Sequence, residues 1–154
     1  MSQDAPGIDL ETSLGYLLKE ASSALRSAME AVLKPLGMTV THYSCLELLA
    51  QRPGLSNSAL ARGAFVTRQS MNVLLQSLEH DGLVRRPEQA PSGRALPTEL
   101  TPKGRRQLTA ASAAVKAVEV RMAARLSAAE QAQFGDMLSR CVGSLREGAG
   151  GPGA

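Results

Sequence analysis

Two histidines and two cysteines are all that 154 residues offer in imidazole or thiol chemistry, and they are scattered. His42 and His80 fall on different predicted helices, and neither has a cysteine or carboxylate at metal-ligand spacing. A zinc site is therefore not expected. Cys45 and Cys141 sit inside apolar helical patterns rather than in a disulfide framework, which suits a reducing cytosol. The sequence also lacks a Gly-rich phosphate loop and a nucleophile elbow, so an enzyme is not expected and neither is a cofactor. No apolar run approaches the length of a membrane span, and the N-terminus has no charged-then-apolar signal pattern. A cytoplasmic protein without membrane contact is the expectation. The charge excess is small, +3 with a pI near 9.2. It permits nucleic-acid binding without requiring it, because the distribution of charge matters more than the sum.

What is present is one long pattern of helices, enough for one domain with a proper core and too short for two ordinary ones. The organising stretch runs from Leu55 to Thr101. Ser56 is a good N-cap for a short helix over about Asn57 to Arg62, since its hydroxyl can accept from an orphan backbone N–H. Gly63 is expected to let the chain turn. Thr67 then caps a second helix running to about Asp81 and stopping at Gly82, the residue type most at ease in a left-handed position. Two helices joined by a short Gly-containing turn make a helix-turn-helix, whose second helix can enter the DNA major groove.

The second helix divides by face. Met71, Leu74, Leu75 and Leu78 follow three- and four-residue spacing and are expected inside. Gln69, Ser70, Asn72, Val73 and Gln76 stay outside. Gln and Asn can bond bidentately to adenine, Ser can contact bases or phosphates, and Val can touch a thymine methyl. A merely solvated polar face is the competing reading. After this helix come two strand candidates, Leu83 to Arg86 and Leu96 to Leu100. Between them lies a turn-rich segment carrying Arg94. Pro97 removes a backbone donor and should shorten the second strand.

A helix-turn-helix followed by a hairpin with a basic tip is a winged helix, and here the sequence resembles the MarR family of bacterial transcription regulators. The resemblance is carried by Met38-Thr39-Val-Thr-His42-Tyr, Leu60-Ala61, Leu78-Glu79-His-Asp-Gly82-Leu83-Val84-Arg85, Arg94 and Leu100-Thr101-Pro-Lys-Gly104. It covers about residues 10 to 147. It implies a mainly α fold: a winged helix-turn-helix with a small β-hairpin wing, plus N- and C-terminal dimerisation helices. The matching division is a flexible 1–9, a single domain over 10–147 and a disordered 148–154. Within the domain, 39–104 would be the DNA-binding part, and 10–37 and 105–147 the dimerisation helices. Two departures stand out. Of two arginines common in the wing only Arg94 is retained, Pro91 and Ser92 standing nearby, and Val73 replaces a frequent arginine.

The outer helices are legible by period. Leu10, Leu14, Leu17, Leu18, Ala21, Leu25, Ala28, Met29, Val32 and Leu36 make a first stripe, capped by Thr12 or Ser13 and ended by Gly37. Thr39 should cap the next helix, with His42 reaching back in a capping box. Thr101-Pro102 opens a long helix whose stripe extends through Leu108, Ala111, Val115, Val118 and Met122 to Leu126. Ser127 and Glu130 form another capping box, followed by Phe134, Met137, Leu138, Cys141, Val142 and Leu145 on one face. Amphipathic helices with no core of their own to face usually pair with another chain, so a homodimer is expected.

The expected function is therefore sequence-specific binding of double-stranded DNA, as a repressor on a pseudo-palindromic operator. Base and backbone contacts are assigned to Ser56, Asn57, Arg62, Thr67, Arg68, Gln69, Ser70, Asn72, Val73, Gln76, Arg85 and Arg94. The resemblance further implies a small-molecule effector, often aromatic, in a cleft matching Leu14, Leu17, Ala21, His42, Cys45, Leu46 and Leu49. Two alternatives stay open: a redox switch at Cys45 or Cys141, and a winged helix serving protein contacts without DNA. Neither cysteine has an obvious nearby cation to lower its pKa.

Overall fold

The computed structural model describes residues 7–86 and 97–149, and the chain divides into two compact units, 1–118 and 119–154. Hydroxyl caps set the helix starts. Ser13 accepts from Tyr16 N–H and opens α1 (Leu14–Leu33), which continues as a short 3-10 turn over Lys34–Leu36. Gly37, at φ 69, ends it. Leu10, expected at the head of this stripe, lies before the helix and is exposed. Thr39 opens α2 (Val40–Gln51) with both halves of the capping box made. His42 N–H donates to Thr39 Oγ1 at 3.1 Å, and Thr39 N–H donates to His42 Nδ1 at 3.4 Å.

Ser56 caps α3 (Asn57–Gly63), and Thr67 caps α4 (Arg68–His80), with Asp81 closing the latter and Gly82 left-handed at φ 73. Met71, Leu75 and Leu78 of α4 are fully buried and Leu74 is half-buried, which is the inward face that the period predicts. The turn between α3 and α4 differs from expectation. Gly63 is helical, and the left-handed residue is Phe65, at φ 59. Gly63 lies close against α2 instead: a Cβ there would meet the Leu48 methyl groups at 3.0 and 3.2 Å, and that side chain would have to give way slightly.

Two short strands follow, β1 (Val84–Arg85) and β2 (Glu99–Leu100), antiparallel with Val84 opposite Leu100 and Arg85 opposite Glu99. The second strand starts later than the Leu96 of the sequence pattern, after Pro97, as the missing donor requires. Leu96 itself lies outside the described residues. Thr101 caps α5 (Pro102–Met122) by accepting from Gly104 N–H at 3.0 Å. Leu108, Ala111, Val115 and Val118 of α5 are buried. In the first unit one apolar cluster joins Leu33, Cys45, Leu46, Leu60, Met71, Leu75, Leu78, Val84, Leu108 and Ala111. Glu47 ties α2 to α5 by accepting from Ser112 Oγ at 2.7 Å. Burial pushes its carboxyl pKa up, but hydrogen bonds from Ser112, Gln51 and Tyr43 outweigh that and leave it below the ordinary value.

The α5 stripe does not reach Leu126 within one helix. The helix stops at Met122, a turn follows in which Ala124 N–H donates to the Arg121 carbonyl at 3.3 Å, and Ser127 and Glu130 then form a capping box that starts α6 (Ala128–Ala149). Gln131 Nε2 donates to the carbonyls of Ala123 and Leu126 at 3.4 and 3.1 Å, the former also accepting from Leu126 N–H at 2.9 Å. The last helix runs on through Gly148 to Ala149, so two residues of the expected disordered tail are helical. Among the described residues, no helix is long and apolar enough to cross a membrane.

The α2 cap gives a pH-dependent stability. Burial lowers the pKa of His42 from 6.5, and the nearby Asp81 charge opposes this only in part. The folded state thus favours the neutral ring, which is also the form whose Nδ1 can accept from Thr39. This stabilisation is complete above pH 6.5 and is lost as pH falls through that value toward the lower folded pKa. His42→Gln keeps an acceptor for the cap and should remove this slope. Thermal unfolding of both proteins at pH 8 and pH 5 checks it, since parallel losses in the two would clear His42.

Candidate nucleic-acid interface

The N-cap of α4 places its first turn in the open. Thr67 Oγ1 accepts from Ser70 N–H at 3.0 Å and donates to Ser70 Oγ at 2.9 Å, which fixes both hydroxyls at the leading end of the helix. Arg68, Gln69, Ser70, Asn72, Val73 and Gln76 are all exposed along the outer face, with Val73 63% exposed. The bulk of α4 is held from behind by its buried leucines and methionine. This is a rigid element presenting amides, a hydroxyl and one branched apolar side chain, the groups that read base edges in a major groove.

The N-terminus of α3 joins the same surface. Ser56 accepts from Ala59 N–H at 3.1 Å, and Asn57 Nδ2 donates to Asn72 Oδ1 at 2.9 Å. That bond ties the two helices of the motif together. It also orients the Asn72 amide so that its N–H groups remain to be offered outward. Arg62 is exposed in the last turn of α3. Arg85 is differently placed: its Nη2 lies 2.8 Å from Glu99 Oε2 across the strand pair, so its charge is offset by a carboxylate. Arg94 lies outside the described residues, as do Pro91 and Ser92.

Sequence reasoning missed two residues here. Arg86 lies 3.4 Å from Glu79 Oε2 and donates to the Asn72 carbonyl at 3.4 Å, bracing the middle of α4 from the strand side. Phe65 is 87% exposed in the turn just ahead of α4. The only available signal for Phe65 was its position, two residues before a capping threonine.

The residues assigned to an effector cleft are placed unevenly. Cys45, Leu46 and Leu49 are buried in the core of the first unit, His42 is half-buried at its edge, and Leu14, Leu17 and Ala21 are exposed on α1. Burial pushes the Cys45 thiol up to about 11, away from thiolate chemistry, and its Sγ contacts Met71 Sδ at 3.8 Å. Cys141 is exposed on α6. Among the described residues, no group of three or more His, Cys, Asp or Glu side chains is placed to hold a metal ion.

The sequence pattern of the MarR family matches residues 36–95. The HTH-type transcriptional repressor Rv2887 of Mycobacterium tuberculosis is 45% identical over 134 residues, covering 87% of this chain and 96% of that protein. The crystal structure of Rv2887 in complex with DNA matches with a TM-score of 0.70 and 43% identity, covering 90% of this chain and 98% of that one. Its complex with salicylic acid matches with a TM-score of 0.70 and 44% identity, over 92% and 99% of the two chains.

Proposed function

The chain belongs to the MarR family of transcription regulators, and from that premise we propose a homodimeric repressor that binds a pseudo-palindromic operator and is released by a small aromatic effector. It is a DNA-binding regulator of winged-helix type. The observation that carries the reading is the outer face of α4, where Gln69, Ser70, Asn72, Val73 and Gln76 stand exposed on a helix anchored by Met71, Leu75 and Leu78. Two copies of this helix would occupy successive major grooves, with half-site centres about 10 bp apart. Ser56, Arg62, Thr67 and Arg68 would hold the phosphates, with Arg94 as the wing contact. Arg85 would contribute less, because Glu99 offsets its charge. Repression follows from occupation of a promoter, and such work places the protein in the cytoplasm without catalytic duty.

Dimerisation is supported by the apolar side chains left open on the terminal helices, Leu14, Leu17 and Leu18 on α1 and Phe134, Met137 and Leu145 on α6. The effector is supported by the salicylic acid complex of the relative. On this chain the surface positions Leu14, Leu17 and Ala21, with His42 at the core edge, are the candidate lining, and Cys45, Leu46 and Leu49 would form its floor.

Titration of duplex DNA at several salt concentrations tests the reading. Phosphate contacts release counterions, so affinity should fall steeply and linearly on a log–log scale. A flat response would reject DNA binding. A specificity prediction goes with it. Gln69→Ala and Asn72→Ala should each relax the preference at one base pair, by about 1–3 kcal/mol of lost discrimination. Equal losses on operator and random duplex would make these residues mere supports of the helix.

A further inference from the structure

The end of α3 is a Schellman turn filled by an unsuitable residue. Phe65 N–H donates to the Arg62 carbonyl at 3.3 Å and Val66 N–H to the Ala61 carbonyl at 3.0 Å. That pattern needs a left-handed residue at the position of Phe65, where glycine is the usual occupant. Phe65 adopts φ 59 with a Cβ in place, a conformation unfavourable for a bulky L-residue. Val66 packs against the core, as the residue after such a turn commonly does. The Phe65 ring does not, being 87% exposed. Backbone and side chain are thus both at a disadvantage in the free chain, and among the described residues the ring finds little cover.

Its position says what would. Phe65 stands two residues before Thr67, the N-cap of α4, and exposed Arg62 and Arg68 flank it on either side in sequence. Two cations suited to phosphates bracket an apolar ring at the leading end of the helix that enters the groove. A strained residue at such a place is the kind of outlier that functional sites retain. We propose that Phe65 is a DNA contact, its ring packing on hydrocarbon of the duplex, a thymine methyl or a deoxyribose. This rests on the reading of the chain as a DNA-binding regulator.

Phe65→Gly separates binding from folding, because glycine is at ease in the left-handed turn while lacking the ring. The probe is a duplex that the wild-type protein enriches from a random-sequence library. Phe65→Gly should melt above wild type and yet bind that duplex about tenfold more weakly. Phe65→Leu, still apolar, should fall between the two. Replacing each thymine in turn by deoxyuridine then identifies the hydrocarbon. A loss seen with wild type and absent with Phe65→Gly marks a thymine methyl, whereas no such position beside a retained tenfold loss marks a deoxyribose. Wild-type affinity in Phe65→Gly would overturn this inference and leave DNA binding standing. A Phe65→Gly protein less stable than wild type would overturn it too, since the ring would then serve the fold. Failure of the wild type to enrich any duplex would bring down both readings.

Discussion

Gly104→Ala is expected to lower the melting temperature by about 10 °C, the size of effect that a loss of about 3 kcal/mol has in a chain of this length. The reason is a close approach of backbone to backbone. A Cβ on Gly104 would lie 2.0 Å from the Leu83 carbonyl oxygen and 3.0 Å from its carbon, and neither atom is the end of a flexible side chain. The same carbonyl accepts from Thr101 N–H at 3.0 Å, so moving it away also loosens the start of α5. Two more bonds cross this junction: Thr101 Oγ1 donates to the Gly82 carbonyl at 2.6 Å, and Lys103 Nζ to the Asp81 carbonyl at 2.9 Å. They satisfy backbone carbonyls at the C-terminal end of α4. The junction therefore braces the C-terminal end of α4. Gly135→Ala is the control. It too is a helical glycine, but nothing lies within 4 Å of its missing Cβ, so better helix propensity should stabilise it by up to about 1 kcal/mol. Denaturant unfolding of both variants reads the sign. Equal behaviour would refute the clash.

These two glycines show where sequence reading stops. Helix starts were legible because their chemistry is local: Ser13, Thr39, Ser56, Thr67 and Ser127 each precede an apolar period, and each accepts the N–H three residues on. The buried face of α4 was legible for the same reason, a period of 3.6 over one helix. What failed involved distance or space. Gly63 was read as the turn because glycine marks left-handed backbone, yet it lies within α3, close against Leu48, and the left-handed turn fell to Phe65. The stripe on α5 was read on to Leu126, right up to the legible Ser127 cap, whereas the helix itself ends four residues earlier, at Met122, where no local signal marks the stop. The Arg85–Glu99 pair depends on strand register, and the Asn57–Asn72 bond on the angle between α3 and α4, and no local pattern contains either. Which side chains α4 leaves exposed was therefore readable. How they brace one another was not.

Leu14→Glu and Leu145→Glu should each dissociate the dimer and abolish specific operator binding while leaving the chain folded. Leu14 is 79% and Leu145 76% exposed in the single chain, so a carboxylate at either position costs the monomer little. In a two-fold dimer each substitution occurs twice. Withdrawing two leucines from burial, at about 1.5–3 kcal/mol apiece, weakens association by roughly 3–6 kcal/mol before any cost of burying charge. That raises the dimer dissociation constant by about a hundredfold to ten-thousandfold. Operator affinity falls with it, because one DNA-binding module makes half the contacts and loses the high effective concentration that a tethered partner supplies at the second half-site. The terminal helices would also set the spacing between the two recognition helices. An effector bound beside Leu14, Leu17 and Ala21 can then act only through a difference in affinity between DNA-competent and incompetent spacings. Sedimentation, far-ultraviolet circular dichroism and operator titration on the same samples decide the point. A folded monomer that still holds its operator at full strength would refute the dimeric mechanism, and with it the route by which an effector could release DNA.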